Sequence, residues 1–134
     1  MRIVMTGAAG FIGSNLVRAL AGHDVVAVDR QPRDRGTGID TVVADLFAPL
    51  PAGSLPERCD VVLHLAQPRR TEPDAPRATY AVNVRATEEL LRYAGSSKAG
   101  AFVFASTGNV YAPGSWPHDE EDPLDEASED PYVR

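Results

Sequence analysis

Thr6-Gly7-Ala8-Ala9-Gly10-Phe11-Ile12-Gly13 is a glycine-rich turn between an apolar strand, Arg2-Ile3-Val4-Met5-Thr6, and a helix that opens at Phe11. In a strand–turn–helix context such a run reads as a dinucleotide-binding turn. Gly7 permits the tight turn out of the strand. Gly10 leaves the backbone open to a pyrophosphate, and Gly13 lets the helix lie close on the sheet. The free amides of the first helical turn and the positive end of the helix dipole then face the phosphates. The residues expected at a cofactor here are Gly7, Ala9, Gly10, Phe11, Ile12 and Gly13. The competing reading is a glycine turn that holds no ligand.

Outward from this turn, strand and helix alternate, the pattern of a parallel sheet with helices on both faces. The first helix is predicted from about Phe11 to Ala21, with Ile12, Leu16 and Leu20 on one face beside Gly13 and Val17. Further strands are expected at Asp24–Asp29, at about Asp40 to Ala44, at Asp60–Leu65 and at Ala101–Ser106. The unbroken apolar run of the fourth strand suits an interior parallel strand. A longer helix covers roughly Arg77 to Ala94, and Tyr80, Val84, Leu91 and Ala94 are expected on its core face. The loops fall at Pro32, Gly36 and Gly38, at 46–58 and at 67–76. A long acidic, proline-rich loop at 108–131 is expected to be an ordered functional loop or a partly mobile lid. The fold class predicted is α/β, a Rossmann-type doubly wound parallel sheet, with residues 1–134 as one nucleotide-binding domain.

Composition narrows the function classes. At 134 residues, 43% hydrophobic and 24% charged, the chain is an ordinary globular domain with enough length for a core. No run approaches the roughly 20 apolar residues of a membrane span. No signal peptide precedes the first strand, so a cytoplasmic location is expected. Cys59, the single cysteine, has no internal disulfide partner and reads as a small core residue. From Asp119 to Arg134 there are eight acids and one base, while the rest of the chain is nearly neutral. With no basic stripe, no nucleic-acid partner is expected. The histidines His23, His64 and His118 lack ligand spacing, and no metal is expected.

Asp29 ends the second strand, 22 residues after Gly7. A doubly wound fold places a carboxylate there to accept both hydroxyls of an adenine ribose. It would repel a 2′-phosphate, which favours NAD over NADP. Arg30, Arg33 and Arg35 follow closely and pull the other way, since an arginine there can hold that phosphate.

The spacing Gly-x-x-Gly-x-x-Gly with its leading threonine resembles the short-chain dehydrogenase/reductase superfamily. The form Thr-Gly-Ala-Ala-Gly-Phe-Ile-Gly-Ser resembles its extended branch, the NAD-dependent epimerase/dehydratase family. The resemblance implies that Asp45 and Leu46 contact the adenine, where a turn-initiating aspartate is the alternative. His64-Leu65-Ala66-Gln67 matches the family's His-Leu-Ala-Ala, so Leu65, Ala66 and Gln67 border the cofactor; Gln67 departs from the pattern. His64 itself reads as a structural histidine. Asn83 matches the family's Asn-Val, with ordinary helix surface as the alternative. Ser106-Thr107-Gly108-Asn109-Val110-Tyr111 resembles the segment that carries the catalytic hydroxyl, which falls on Thr107. Pro131-Tyr132 resembles the start of Tyr-x-x-x-Lys, which makes Tyr132 the catalytic tyrosine.

In the family this tyrosine removes a hydroxyl proton while NAD accepts hydride from the same carbon. A free tyrosine has a pKa of about 10, so a shift of roughly three units is needed, supplied by the lysine and the nicotinamide. The lysine position falls two residues past Arg134, and Arg134 points to another side of a helix. The sheet is therefore expected to be C-terminally truncated relative to the family, with cofactor binding but little turnover in these 134 residues. Gly108 and Asn109 stand where sugar-nucleotide 4,6-dehydratases carry Asp-Glu, which opposes that dehydration. The resemblance thus implies an NAD-dependent epimerase acting on a nucleotide sugar, dimeric in the parent protein. The alternatives are a ketone or hydroxysteroid-type reductase and a non-catalytic nucleotide-sensing protein on the same fold.

Overall fold

The computed structural model describes residues 1–31, 39–68, 75–114, 117–130 and 133. Five parallel strands form one sheet in the order β3-β2-β1-β4-β5. They are β1 (Arg2–Thr6), β2 (Asp24–Asp29), β3 (Asp40–Val43), β4 (Val61–His64) and β5 (Ala101–Phe104). This is the strand order of a dinucleotide-binding half-sheet, and the predicted α/β class is what the chain adopts. The predicted strands are all present, with β3, β4 and β5 trimmed by one or two residues at their ends. The chain runs outward from β1 to β2 and β3, then crosses to β4 on the other side. The crevice of such a fold opens at that reversal, beyond the carboxyl ends of β1 and β4.

Alternation along the strands builds a core on each face. Ile3 and Met5 of β1 join Val25 and Ala27 of β2 on one side. Helix α1 (Phe11–Ala19) covers that side through Gly13 and Val17, with Leu16 and Leu20 half-buried. Ile12, expected with them, is instead 59% exposed. The helix approaches the sheet through its smallest residue, which rotates Ile12 out toward the crevice. Val4, Val26, Val28 and Val62 point to the other side.

That second side is covered by one continuous helical segment. It comprises α2 (Ala75–Tyr80), a π-helical turn (Ala81–Ala86) and α3 (Thr87–Ser97). Its buried row is Ala78, Val82, Ala86, Leu90 and Ala94, spaced by four and made mostly of small side chains. Of the four core residues predicted on this helix only Ala94 is buried; Tyr80, Val84 and Leu91 face outward. Small residues let the helix close on the sheet, and the large apolar ones are left on the outer side. Leu90 is the one large side chain of that row and is fully buried. Leu90→Ala is expected to lower stability by about 3 kcal/mol, checked by urea unfolding.

Cys59 is buried as expected, its thiol 3.4 Å from Ser97 Oγ. In the acidic loop, a 3₁₀ turn (Gly108–Val110) leads into an antiparallel bridge between Tyr111 and Leu124. Ala112 N–H donates to Pro123 O and Asp125 N–H to Val110 O, each at 2.8 Å. His118 Nδ1 pairs with Asp122 Oδ2 at 2.8 Å and its ring stacks on Tyr111. Among the described residues, no helix is long and apolar enough to cross a membrane.

Candidate dinucleotide-binding cleft

A cavity of about 660 Å³ lies at the carboxyl ends of β1, β2 and β4. Twelve of the residues expected at a cofactor line it: Gly7, Ala9, Gly10, Phe11, Ile12, Asp29, Arg30, Asp45, Leu46, Leu65, Ala66 and Gln67. They come from four separate stretches of chain, which the parallel register of the sheet brings to one edge.

The glycine turn is set by close approach. Gly7 N–H donates to Val28 O at 3.0 Å, and Gly7 has a φ of 71°, a left-handed conformation. A Cβ on Gly7 would sit 2.6 Å from Ala66 N. Gly10 caps α1 with extended backbone and no side-chain hydrogen bond, and the first turn carries no acid. The helix therefore presents its leading amides to the cleft unanswered by any cap, as a pyrophosphate requires.

Asp29 stands beside this turn. Its Oδ2 accepts from Ala9 N–H at 2.9 Å and its Oδ1 from Gln31 N–H at 3.2 Å. The carboxylate is thereby fixed at the end of β2 and keeps lone pairs for two vicinal hydroxyls. Asp45 Oδ1 accepts from Phe47 N–H at 3.0 Å, so the expected turn-forming role is present at a residue that also lines the cleft. This donor and acceptor set fits a dinucleotide.

Two expected residues are not in the lining. Gly13 acts from behind, since its Cα packs against the Gly7 carbonyl. Asn83 lies in the π-helical turn, half-buried, and its Oδ1 is buried without a hydrogen-bond partner. Thr107 Oγ1 accepts from Asn109 N–H at 3.2 Å and caps the 3₁₀ turn, which leaves its own proton to donate. Tyr132 lies outside the described residues, as do Arg33 and Arg35. Phe47, Ala78 and Val82 also line the cleft, unforeseen from sequence. Phe47 carried one available signal, an aromatic directly after Asp45-Leu46; the Arg77 guanidinium sits 5.6 Å from its ring.

His64 is wholly buried in the sheet, the structural position expected of it. Burial lowers its pKa from the ordinary 6.5, against an opposing contribution from its bond to the Val82 carbonyl. The folded pKa thus lies below the unfolded one, so the unfolded chain takes up this proton at higher pH. Stability from the neutral ring is complete above pH 6.5 and falls as the pH drops below it. Denaturant midpoints measured from neutral pH to about pH 5 should decline more steeply for the wild-type chain than for His64→Gln.

Known proteins resemble this chain in sequence and in fold. A UDP-glucose 4-epimerase from Mycolicibacterium smegmatis is 36% identical, over 99% of this chain and 47% of its own length. An L-arabinose 1-dehydrogenase (NAD(P)(+)) from Haloferax volcanii is 36% identical over 82% of this chain and 42% of its own. Among solved structures, a short-chain dehydrogenase/reductase superfamily protein from Agrobacterium tumefaciens with bound NAD superposes with a TM-score of 0.80 at 34% identity. It is matched over 99% of this chain and 41% of its own. MoeE5 in complex with UDP-glucose and NAD gives 0.81 at 33% identity, over 99% and 44%. The chain spans less than half the length of these relatives. The family described as NAD dependent epimerase/dehydratase matches residues 3–134, and the chain belongs to that family.

Proposed function

We propose that the protein is an NAD-dependent epimerase acting on a nucleotide sugar, and that the cleft at Gly7, Asp29 and Ala66 is its NAD site. The observation that carries this is the pairing of an uncapped α1 N-terminus with the fixed Asp29 carboxylate across one cavity. The UDP-glucose 4-epimerase relative, aligned over nearly the whole chain, supports the sugar-nucleotide part. Bound NAD would supply a hydride acceptor for a carbinol carbon and return the hydride to the other face. In this reading Thr107 holds the oxygen of that carbon by donating its hydroxyl proton, and Tyr132 takes the proton from the same oxygen. The outward row of Tyr80, Val84 and Leu91 supports a homodimer through the long helical segment.

A second reading, a sugar dehydrogenase that releases reduced cofactor, is favoured by the L-arabinose 1-dehydrogenase relative. Gly108 and Asn109, without a protonatable group, support neither acid nor base for 4,6-dehydration. The test is a calorimetric titration with NAD, followed by incubation with UDP-glucose. Saturable NAD binding is expected of these 134 residues. Turnover is expected where a lysine stands four residues after Tyr132. Formation of a second UDP-hexose without accumulation of reduced nicotinamide is the epimerase result. Reduced nicotinamide rising with product selects the dehydrogenase, and a chain that binds no NAD overturns both.

A further inference from the structure

His64 is a wholly buried polar side chain that the proposed chemistry leaves without a task. It ends β4, and its two ring nitrogens address two different elements. Nδ1 lies 2.6 Å from Thr6 Oγ1 at the end of β1. Nε2 lies 3.2 Å from the Val82 carbonyl in the π-helical turn. Thr6 Oγ1 also accepts from Ala66 N–H at 3.2 Å. From β5 the Phe104 ring packs on the imidazole with centroids 5.5 Å apart.

The protons in this chain of bonds are determined by the acceptors. A carbonyl only accepts, so Nε2 carries the ring hydrogen and donates it to Val82 O. Nδ1 of that neutral ring only accepts, so the Thr6 hydroxyl donates to it. Thr6 then has a lone pair directed at Ala66 N–H. No member can be turned over without breaking another bond.

The ends of the chain of bonds matter for the cleft. Val82 and Ala66 line the cavity, and Gly7, which also lines it, follows Thr6 directly. Three walls of one cavity are therefore joined through one imidazole, and the sheet's own ladder joins only two of them, β1 and β4. Among the described residues it is the ring of His64 that links the helical wall to the strand end from which the glycine turn springs.

We infer that His64 is a positioning residue for the dinucleotide cleft, holding the glycine turn, the end of β4 and the helical wall at one fixed spacing in its Nε2–H form. The role rests on the NAD reading above for its ligand, while its geometry stands apart from that reading. A histidine that merely filled space would have no need of a fixed tautomer or of both partners.

Three substitutions separate the alternatives. Asn places its amide oxygen near the Nδ1 position and retains the Thr6 link. Gln places its amide nitrogen near the Nε2 position and retains the Val82 link. Leu fills the space and retains neither. Ring ¹⁵N–¹H correlation spectra of the wild-type chain without NAD should show the Nε2–H tautomer at neutral pH. In NAD titrations of chains with native circular dichroism, His64→Asn and His64→Gln should each weaken binding ~10-fold, and His64→Leu ~100-fold. Where His64→Leu does not fold, Thr6→Ser should keep wild-type affinity and Thr6→Val should lose ~10-fold. An Nδ1–H or exchange-averaged ring overturns the role, as does wild-type affinity in folded His64→Leu or in Thr6→Val. A fixed tautomer in a chain that binds no NAD overturns the cofactor reading instead.

Discussion

Gly13→Ala is expected to lower stability by about 3 kcal/mol and to abolish NAD binding, although alanine is the better helix former by about 1 kcal/mol. The sign is decided by space. A Cβ on Gly13 would lie 2.3 Å from the Gly7 carbonyl oxygen and 2.8 Å from Ala8 Cα. Both are backbone atoms of the turn itself, so no side chain can swing aside to make room. Either α1 lifts from the sheet or the turn is pushed into the cleft, and each displaces the amides offered to a pyrophosphate. Gly95 provides the opposite case within the same protein. It lies in α3 with nothing within 4 Å of an added Cβ. Gly95→Ala should therefore stabilise by about 0.5–1 kcal/mol and leave NAD affinity unchanged. Urea unfolding and NAD titration of the two variants read both effects. A Gly13→Ala chain as stable as Gly95→Ala, with NAD bound normally, would refute the close-packing account.

Asp29→Ala should weaken NAD binding ~100-fold, because in the proposed site it would remove two hydrogen bonds from ribose hydroxyls to a charged acceptor, at about 1.5 kcal/mol each. A second effect adds to the first. The carboxylate also holds Ala9 N–H and Gln31 N–H, so its removal frees the glycine turn from the end of β2. Asp29→Asn loses the charge and keeps one oxygen, which can accept from one of those two backbone donors, so its affinity should fall between those of the wild-type chain and Asp29→Ala. The same substitutions should narrow the preference for NAD over NADP, since the repulsion of a 2′-phosphate goes with the charge. Calorimetric titration with both dinucleotides measures this. An unchanged NAD dissociation constant in Asp29→Ala would remove the ribose contact from the site.

The strands and the cleft were legible in the sequence because each carries a local signature. Ile3-Val4-Met5 and Val25-Val26-Ala27-Val28 are continuous apolar runs of the kind a doubly covered parallel sheet requires. Gly7, Gly10 and Asp29 have spacings tied to one turn and one strand end. The helix faces were not legible in the same way. Size of side chain favoured Ile12, Tyr80, Val84 and Leu91 for the core, whereas helix–sheet contact selected Ala78 and Ala86 beside the expected Gly13 and Ala94. The π-helical turn at Ala81–Ala86 compounds this, since hydrogen bonds spanning five residues shift the later positions around the axis. Val82 reaches the cleft through tertiary packing, which has no local spacing to announce it, whereas Phe47 follows Asp45-Leu46 directly.

The alanine row on the long helical segment has a consequence for how such a cleft can change. Ala78 and Val82 belong at once to the core and to the cavity wall. Ala86 and Ala94 do not themselves line the cavity, yet they set how far the same helical segment stands from the sheet. One added methylene at either would tilt that segment and alter the gap several residues away. Cofactor selectivity in this fold is thus open to adjustment by remote, interior replacements, in the manner of a calliper set by a screw far from its jaws.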